Sequence, residues 1–484
     1  MTTFDTETII VGAGCAGMNC ALDLQKAGHP YLLIADYMGG RILNDTDRHM
    51  NYGAVFYFGS YRTMLSKERG ILKPTTDVVP SLTAAACNPD DSHQWGALSA
   101  KTASDLPSLW RFESFMVNEF LPHYEQFKKD CEIMEVREAL AKDPFIDQLF
   151  HETAAQMIDR LNIKPIADDL VSMFAHACTG TPPAELMALD YLNTVQPLSM
   201  RLPSMQLVMS LTRFDFDADE MTSRLSRGSG EVLLGNLVTV VEKIQGGWKV
   251  TTDEGATFTA ENLVMATPAD VTERLLEPVE EVPAFKARKA CTLYAYLLKG
   301  KIREHYAHHA VHIFSEKTPI IFISTMPGED MYEIFTEVDF EEGNRMEKYF
   351  ERYEIQGRKA WSRAMFTGPT EALPQNLAPG LIMAGDHNGL GMEPAAISGI
   401  YAANKVLGKT VDEKPDAYAA APSIPYASPA GPKGAEETLQ AYGAVLADCG
   451  QQVVSAAKNN KVAAAAAAAG AAAVVAAAAL SKRK

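Results

Sequence analysis

The feature that most narrows the fold is Gly12-Ala13-Gly14-Cys15-Ala16-Gly17, directly after the apolar run 8–11. In a strand–loop–helix unit, Gly12 permits the tight turn, Gly14 lets the backbone approach a pyrophosphate, and Gly17 lets helix and strand pack closely. A helical pattern over 18–27 then stops at Gly28, suited to the C′ position, and 31–34 (Tyr-Leu-Leu-Ile) reads as a second buried strand ending at Asp36. Cys15 and Ala16 open the helix, whose unpaired N–H groups and positive dipole end favour phosphates, and Asp36 is placed to accept ribose hydroxyls. The pattern predicts half of a doubly wound unit and a dinucleotide site.

The 484 residues have length for two or three domains. Residues 104–198 carry apolar side chains at helical spacing (Leu109, Phe112, Phe115, Met116, Phe120) and predict a helical insertion that covers a ligand. Strand signals return at 232–241, 248–252 and 257–264, with hairpin turns at Gly246-Gly247 and Asp253-Glu254-Gly255, then at 291–298 and 320–324. Residues 380–407 read as a buried strand, a glycine-rich turn and a helix. The net charge of −17 argues against nucleic acid as a partner, because the chain would repel phosphates. Seven cysteines with no CxxC pair give neither a disulfide framework nor a zinc site, and Cys15 and Cys20 read as small core residues in a reducing compartment. His305, His308, His309 and His312 lack a supporting carboxylate or thiol, so they read as a solvated loop, and no metal site is expected. The polar start lacks a secretory apolar region, so the protein is expected to be cytoplasmic or peripherally membrane-associated, not secreted.

Gly39-Gly40-Arg41 and Tyr52-Gly53-Ala54 follow the second strand. Asn236-Leu237-Val238, the 251–255 turn and Val264-Met265-Ala266-Thr267-Pro268 form another block; Ala384-Gly385-Asp386 with Met392-Glu393 and Ser398-Gly399 forms a last one. With the glycine loop, these blocks resemble the flavin-containing amine oxidase and phytoene desaturase superfamily. The resemblance implies FAD, in an α/β fold: a discontinuous doubly wound (Rossmann-type) FAD-binding domain, an inserted α+β substrate domain and an Ala-rich helical tail. It assigns Gly12, Gly14, Gly17 and Asp36 to the ADP half, and Gly40 and Arg41 with Gly53 and Ala54 to the pyrophosphate and ribityl region. Val238 would offer its backbone to the adenine, Gly385 and Asp386 would lie by the ribityl chain and pyrophosphate, and Met392 beneath the isoalloxazine ring. The family usually has glutamate where Ala35 stands, so Asp36 is displaced by one position.

On the same basis, the expected division is 1–85, 228–285 and 361–410 for the FAD domain, 86–227 and 286–360 for the substrate domain, and 411–484 for linker and tail. Lys289 is the family-implied catalytic candidate, a lysine that would hold water near the flavin. Amine oxidases of the family frame their substrate with aromatic rings, one of them just before the Met-Glu pair; here 387–391 (His-Asn-Gly-Leu-Gly) supplies none. The expected reaction is therefore hydride removal from an apolar unsaturated substrate of carotenoid or polyunsaturated fatty acid type, by a desaturase or isomerase, with oxygen or a quinone as electron acceptor. An amine or amino-acid oxidase and a noncatalytic flavoprotein-like scaffold are the alternatives.

In the tail, 462–480 holds fourteen alanines in nineteen residues, and five basic residues and no acid lie beyond Asp448. As a helix this segment would span ~28 Å. Its weak apolarity and flanking positive charge make it the expected point of peripheral membrane contact.

Overall fold

The computed structural model describes residues 4–45, 50–57, 61–79, 84–87, 93–95, 100–198, 211–307, 310–326, 330–368 and 370–409. The tail, and with it the expected membrane contact, lies outside them. Among the described residues no helix is long and apolar enough to cross a membrane.

The glycine loop behaves as its spacing demands. The strand Thr6–Val11 leads through it into the helix Cys15–Lys26, and Tyr31–Ala35 returns parallel to the first strand. These strands belong to an eight-stranded sheet whose main path of six runs Gly230–Leu234, Tyr31–Ala35, Thr6–Val11, Thr257–Met265, Gly247–Thr252, Val238–Ile244, with Leu381–Met383 and Asn376–Ala378 branching from it. The strand Thr257–Met265 forks: its first half pairs antiparallel with Gly247–Thr252, its end parallel with Leu381–Met383. Ile9, Ile10, Leu33, Ile34, Leu263 and Val264 are fully buried, as expected for parallel strands covered on both faces. Against one face, the helix Met392–Val406 crosses Cys15–Lys26 so closely that a Cβ on Gly399 would lie 2.1 Å from the Ala16 carbonyl oxygen. This is a doubly wound α/β fold.

A second, seven-stranded sheet runs Phe350–Phe366, Ala290–Ile302, Met331–Thr336, Ile320–Thr325, Val311–Phe314, Ala84–Cys87, His93–Trp95. Its residues alternate in destination, as the strand period requires. Leu293, Ala295, Leu297, Phe322 and Phe335 face the helical region, packing with Phe112, Phe120, Phe150 and Tyr191. Tyr296, Leu298, Ile323 and Ile334 close a separate cluster behind the sheet with Tyr349 and Phe350.

The helices expected over 104–198 form, from Ala100–Phe115 to Ala188–Val195. The strand expected over 232–241 is two strands, because Gly235 takes φ +73° and turns the chain. His312 is a correction to the loop reading: it is buried in the strand Val311–Phe314, within 2.8 Å of the Tyr306 carbonyl, because the apolar residues around it draw the segment into the sheet. His305 sits in a short 3₁₀ turn, and His308 and His309 lie outside the described residues. Two expected boundaries, 85/86 and 360/361, fall inside the strands Ala84–Cys87 and Phe350–Phe366; we propose a division that keeps both strands whole in the second sheet.

Candidate functional site

Between the two sheets lies a cavity of about 870 Å³. Its wall at the first sheet is the glycine loop. Gly12 holds φ +108°, and a Cβ there would stand 2.6 Å from the Ala266 carbonyl oxygen; a Cβ on Gly17 would stand 1.9 Å from the Gly12 carbonyl oxygen. Both glycines are demanded by the protein's own packing. Gly14 differs, since a Cβ there would meet nothing within 4 Å. Gly14 is the N-cap of Cys15–Lys26 without a side-chain cap, and no acid occupies the first turn. The first N–H groups of the helix are thus left for an anion. This cradle fits a pyrophosphate: uncapped donors, a dipole end and open space over a residue without a side chain.

Other family-implied positions surround the same space. Asp36 is exposed at the end of its strand and lines the cavity with Val238 and with Thr267-Pro268. Gly40 and Gly53 bring the Arg41 segment in, a Cβ on Gly53 lying 1.9 Å from the Arg41 carbonyl oxygen. Arg41 donates to Asp386 at 2.6 Å and to the Ala364 carbonyl at 3.1 Å. That carbonyl lies where the Phe350–Phe366 strand bulges, a step of two residues in its partner (Cys291 to Leu293) facing a step of four in its own chain (Met365 to Trp361); a bulge re-aims groups away from the ladder. Burial alone would raise the Asp386 carboxyl, but the Arg41 guanidinium outweighs it, with help from His387, and holds it below the usual carboxylate range. Gly385 and Met392 complete this middle part.

The loop after Asp386 is held from the helical region. Asp190, paired with Arg288 at 3.1 Å with both side chains 2% exposed, accepts from the Leu390 N–H at 2.8 Å; the Asn193 amide donates to the Leu390 carbonyl at 3.1 Å. His387 is buried, and burial pushes its pKa down to about 4, with Asp386 opposing and Arg288 reinforcing. Cys15 and Cys178 line the cavity as thiols whose pKa burial pushes up to about 12, so neither is a thiolate at neutral pH.

Beyond the Arg41–Asp386 pair the cavity becomes apolar and aromatic. Phe56, Tyr61, Leu293, Phe322, Phe335, Trp361 and Met365 line it. Phe322 and Phe335 stack at 4.9 Å, and the Trp361 indole N–H is taken by the Tyr52 carbonyl at 2.6 Å, which fixes the ring. Aromatic rings therefore do frame this end, supplied by the second sheet and the segment after residue 53 rather than by 387–391.

Of the residues singled out in the sequence, Gly12, Gly14, Cys15, Ala16, Asp36, Gly40, Arg41, Gly53, Ala54, Val238, Gly385, Asp386 and Met392 line this one cavity. Gly17 stands behind its wall as a packing residue. Lys289 does not join them: its side chain is exposed and off the cavity, while the neighbouring Arg288 turns inward. Sequence reasoning missed Tyr61, Asn193, Lys359 and Trp361; in 357–365 polar and apolar residues come in pairs (Arg-Lys, Ala-Trp, Ser-Arg, Ala-Met), so no period-2 strand signal marks the last two.

A glycine-loop domain and an inserted sheet-and-helix domain around one deep cavity define the class as a flavoprotein oxidoreductase fold. The model of the flavin-containing amine oxidoreductases matches residues 15–299. The chain belongs to that family, and its cofactor is FAD. It is 23% identical over 274 residues to (S)-6-hydroxynicotine oxidase of Paenarthrobacter nicotinovorans, an alignment covering 56% of this chain and 62% of the relative; the match thus spans less than two thirds of that relative's length. Its fold is similar to putrescine oxidase bound to putrescine (TM-score 0.60, 15% identity, covering 84% of this chain and 99% of that one). It is also similar to cyclohexylamine oxidase from Brevibacterium oxydans (0.54, 16%, 84% and 98%) and to a CLA-producing fatty acid isomerase from P. acnes (0.56, 12%, 84% and 99%). At these identities the structural likeness shows the fold alone.

Proposed function

We propose that this protein removes a hydride from an apolar unsaturated substrate of carotenoid or polyunsaturated fatty acid type, in a desaturation or isomerisation. The carrying observation is the substrate end of the cavity, where Phe56, Leu293, Phe322, Phe335 and Met365 offer carbon surface and sulfur beside the Lys359 side chain. Bound FAD would supply the hydride acceptor and pass electrons on to oxygen or a quinone, or return them in an isomerisation. The chain's own residues bind, orient and exclude water, which is what such a reaction asks of a protein. In this reading Gly12, Gly14 and the helix start hold the pyrophosphate, Asp36 the ribose, Val238 the adenine, and Arg41 with Asp386 the stretch between phosphate and ring. The apolar rings fix the reacting C–H bond, and Lys289 has no part.

A second reading, amine oxidation, draws support from the similarity to (S)-6-hydroxynicotine oxidase and from the aromatic rings Tyr61 and Trp361, whose faces would attract a cationic nitrogen. Chromatographic retention and mass of the products together separate the two. FAD-loaded protein incubated with polyunsaturated acids and with amines should yield an acid lacking two hydrogens, or an isomer of unchanged mass. Oxidised amine with the acids untouched would favour the second reading.

A further inference from the structure

Lys359 is the unexplained charge in the apolar end of the cavity. It lies on the strand Phe350–Phe366, two residues from Trp361 and on the same face, opposite Ala295 in the neighbouring strand. Its ammonium lies 4.9 Å from the Trp361 ring centre, and its side chain is half-buried. The nearest cations of the strand on either side are matched: Arg358, on the opposite face, pairs with Asp339 and Glu341, and Arg363 pairs with Asp270. Among the described residues Lys359 has no carboxylate partner. An ammonium facing apolar and aromatic walls, partly withdrawn from water, strongly favours an anion that arrives with an apolar body.

The position sets the kind of anion. Ala364, whose carbonyl Arg41 touches, is five residues along the strand; at ~3.3 Å per residue that is at most ~17 Å, shortened by the bulge at 362–364. On the partner strand Lys359 faces Ala295, Trp361 faces Leu293 and Met365 faces Cys291, so Trp361 lies between Lys359 and the segment that Arg41 touches, a separation of ~13 Å along the sheet. An α-amino acid, whose carboxylate adjoins its reacting carbon, does not bridge that stretch, whereas an extended acid does. A cationic amine would be repelled.

We propose that Lys359 anchors the carboxylate of a long-chain unsaturated acid, fixing which of its C–H bonds enters the middle of the cavity. The proposal rests on the apolar-substrate reading, so its test reads binding independently of turnover. FAD-loaded wild type, Lys359→Met and Lys359→Arg would be titrated calorimetrically with a long-chain unsaturated acid, its methyl ester and an apolar α-amino acid. Loss of one charge-assisted contact should weaken acid binding by Lys359→Met roughly 10- to 100-fold. Lys359→Arg should stay within about threefold of wild type, and the ester should bind wild type and Lys359→Met alike. Unchanged FAD content and melting temperature in Lys359→Met would assign the loss to the contact. Acid binding by Lys359→Met within about twofold of wild type, or an ester bound by wild type as tightly as the acid, would overturn the proposal. An α-amino acid that binds more tightly than the long-chain acid and depends on Lys359 would overturn the choice of acid. If the acid binds through Lys359 but is never turned over, the reaction reading fails and the anchor stands.

Discussion

Gly14 offers the sharpest separation between a glycine the fold needs and one the cofactor needs. Its backbone (φ −79°, ψ −170°) is one that any residue adopts, and a Cβ there would meet nothing within 4 Å. Gly14→Val should therefore leave the apoprotein folded, losing no more than about 1 kcal/mol through a poorer N-cap. The same side chain would fill the cradle over the helix start. Losing two charge-assisted contacts to a pyrophosphate, at ~1.5 kcal/mol or more each, removes at least ~3 kcal/mol, or over a hundredfold in FAD affinity. Gly17→Ala makes the contrast, since its Cβ would fall 1.9 Å from the Gly12 carbonyl oxygen and should destabilise the apoprotein by about 1–3 kcal/mol. Denaturant unfolding of the apoproteins and fluorescence titration with FAD measure both quantities. A Gly14→Val protein that binds FAD as wild type does, or whose apo form is as unstable as Gly17→Ala, would show that Gly14 is not reserved for the cofactor.

His387 binds a proton in the unfolded chain near its ordinary 6.5 but in the fold only near about 4, so the unfolded state binds more protons between these values. Stability should fall as pH drops through that window, by about 3 kcal/mol in all, and His387→Gln should flatten the slope in pH-dependent unfolding. Arg41→Ala leaves Asp386, 8% exposed, without its cation and removes two donors; FAD affinity should drop about tenfold or more, with Arg41→Lys intermediate in the same titration. Asp190→Ala strands the buried Arg288 and frees the Leu390 N–H, which should cost about 3–5 kcal/mol in unfolding measurements, whereas a double replacement by apolar residues should recover much of it.

What could be read in the sequence was what local physics dictates. Gly12, Gly14 and Gly17 are spaced by the needs of one turn, and the run from Tyr31 to Ile34 is apolar because both its faces are covered. The Asp190–Arg288 pair joins residues 98 apart, and no local pattern announces it. Lys289 drew attention by its place before a strand, but the side chain at that position points outward and the inward one belongs to Arg288. Trp361 and Lys359 escaped notice because Phe350–Phe366 is an edge strand, charged along much of its length and half-exposed, so its alternation is muted. The aromatic frame sought in 387–391 comes from distant strands, a juxtaposition that topology alone makes.

Whether this cavity activates a C–H bond beside a double bond in an apolar acid can be measured by anaerobic stopped-flow mixing of the FAD-loaded protein with matched ligands. A long-chain unsaturated acid should bleach the flavin absorbance, transiently if the hydride returns, while its saturated counterpart should bind without bleaching. Rapid bleaching by an amine, with no change on adding any unsaturated acid, would contradict that activation.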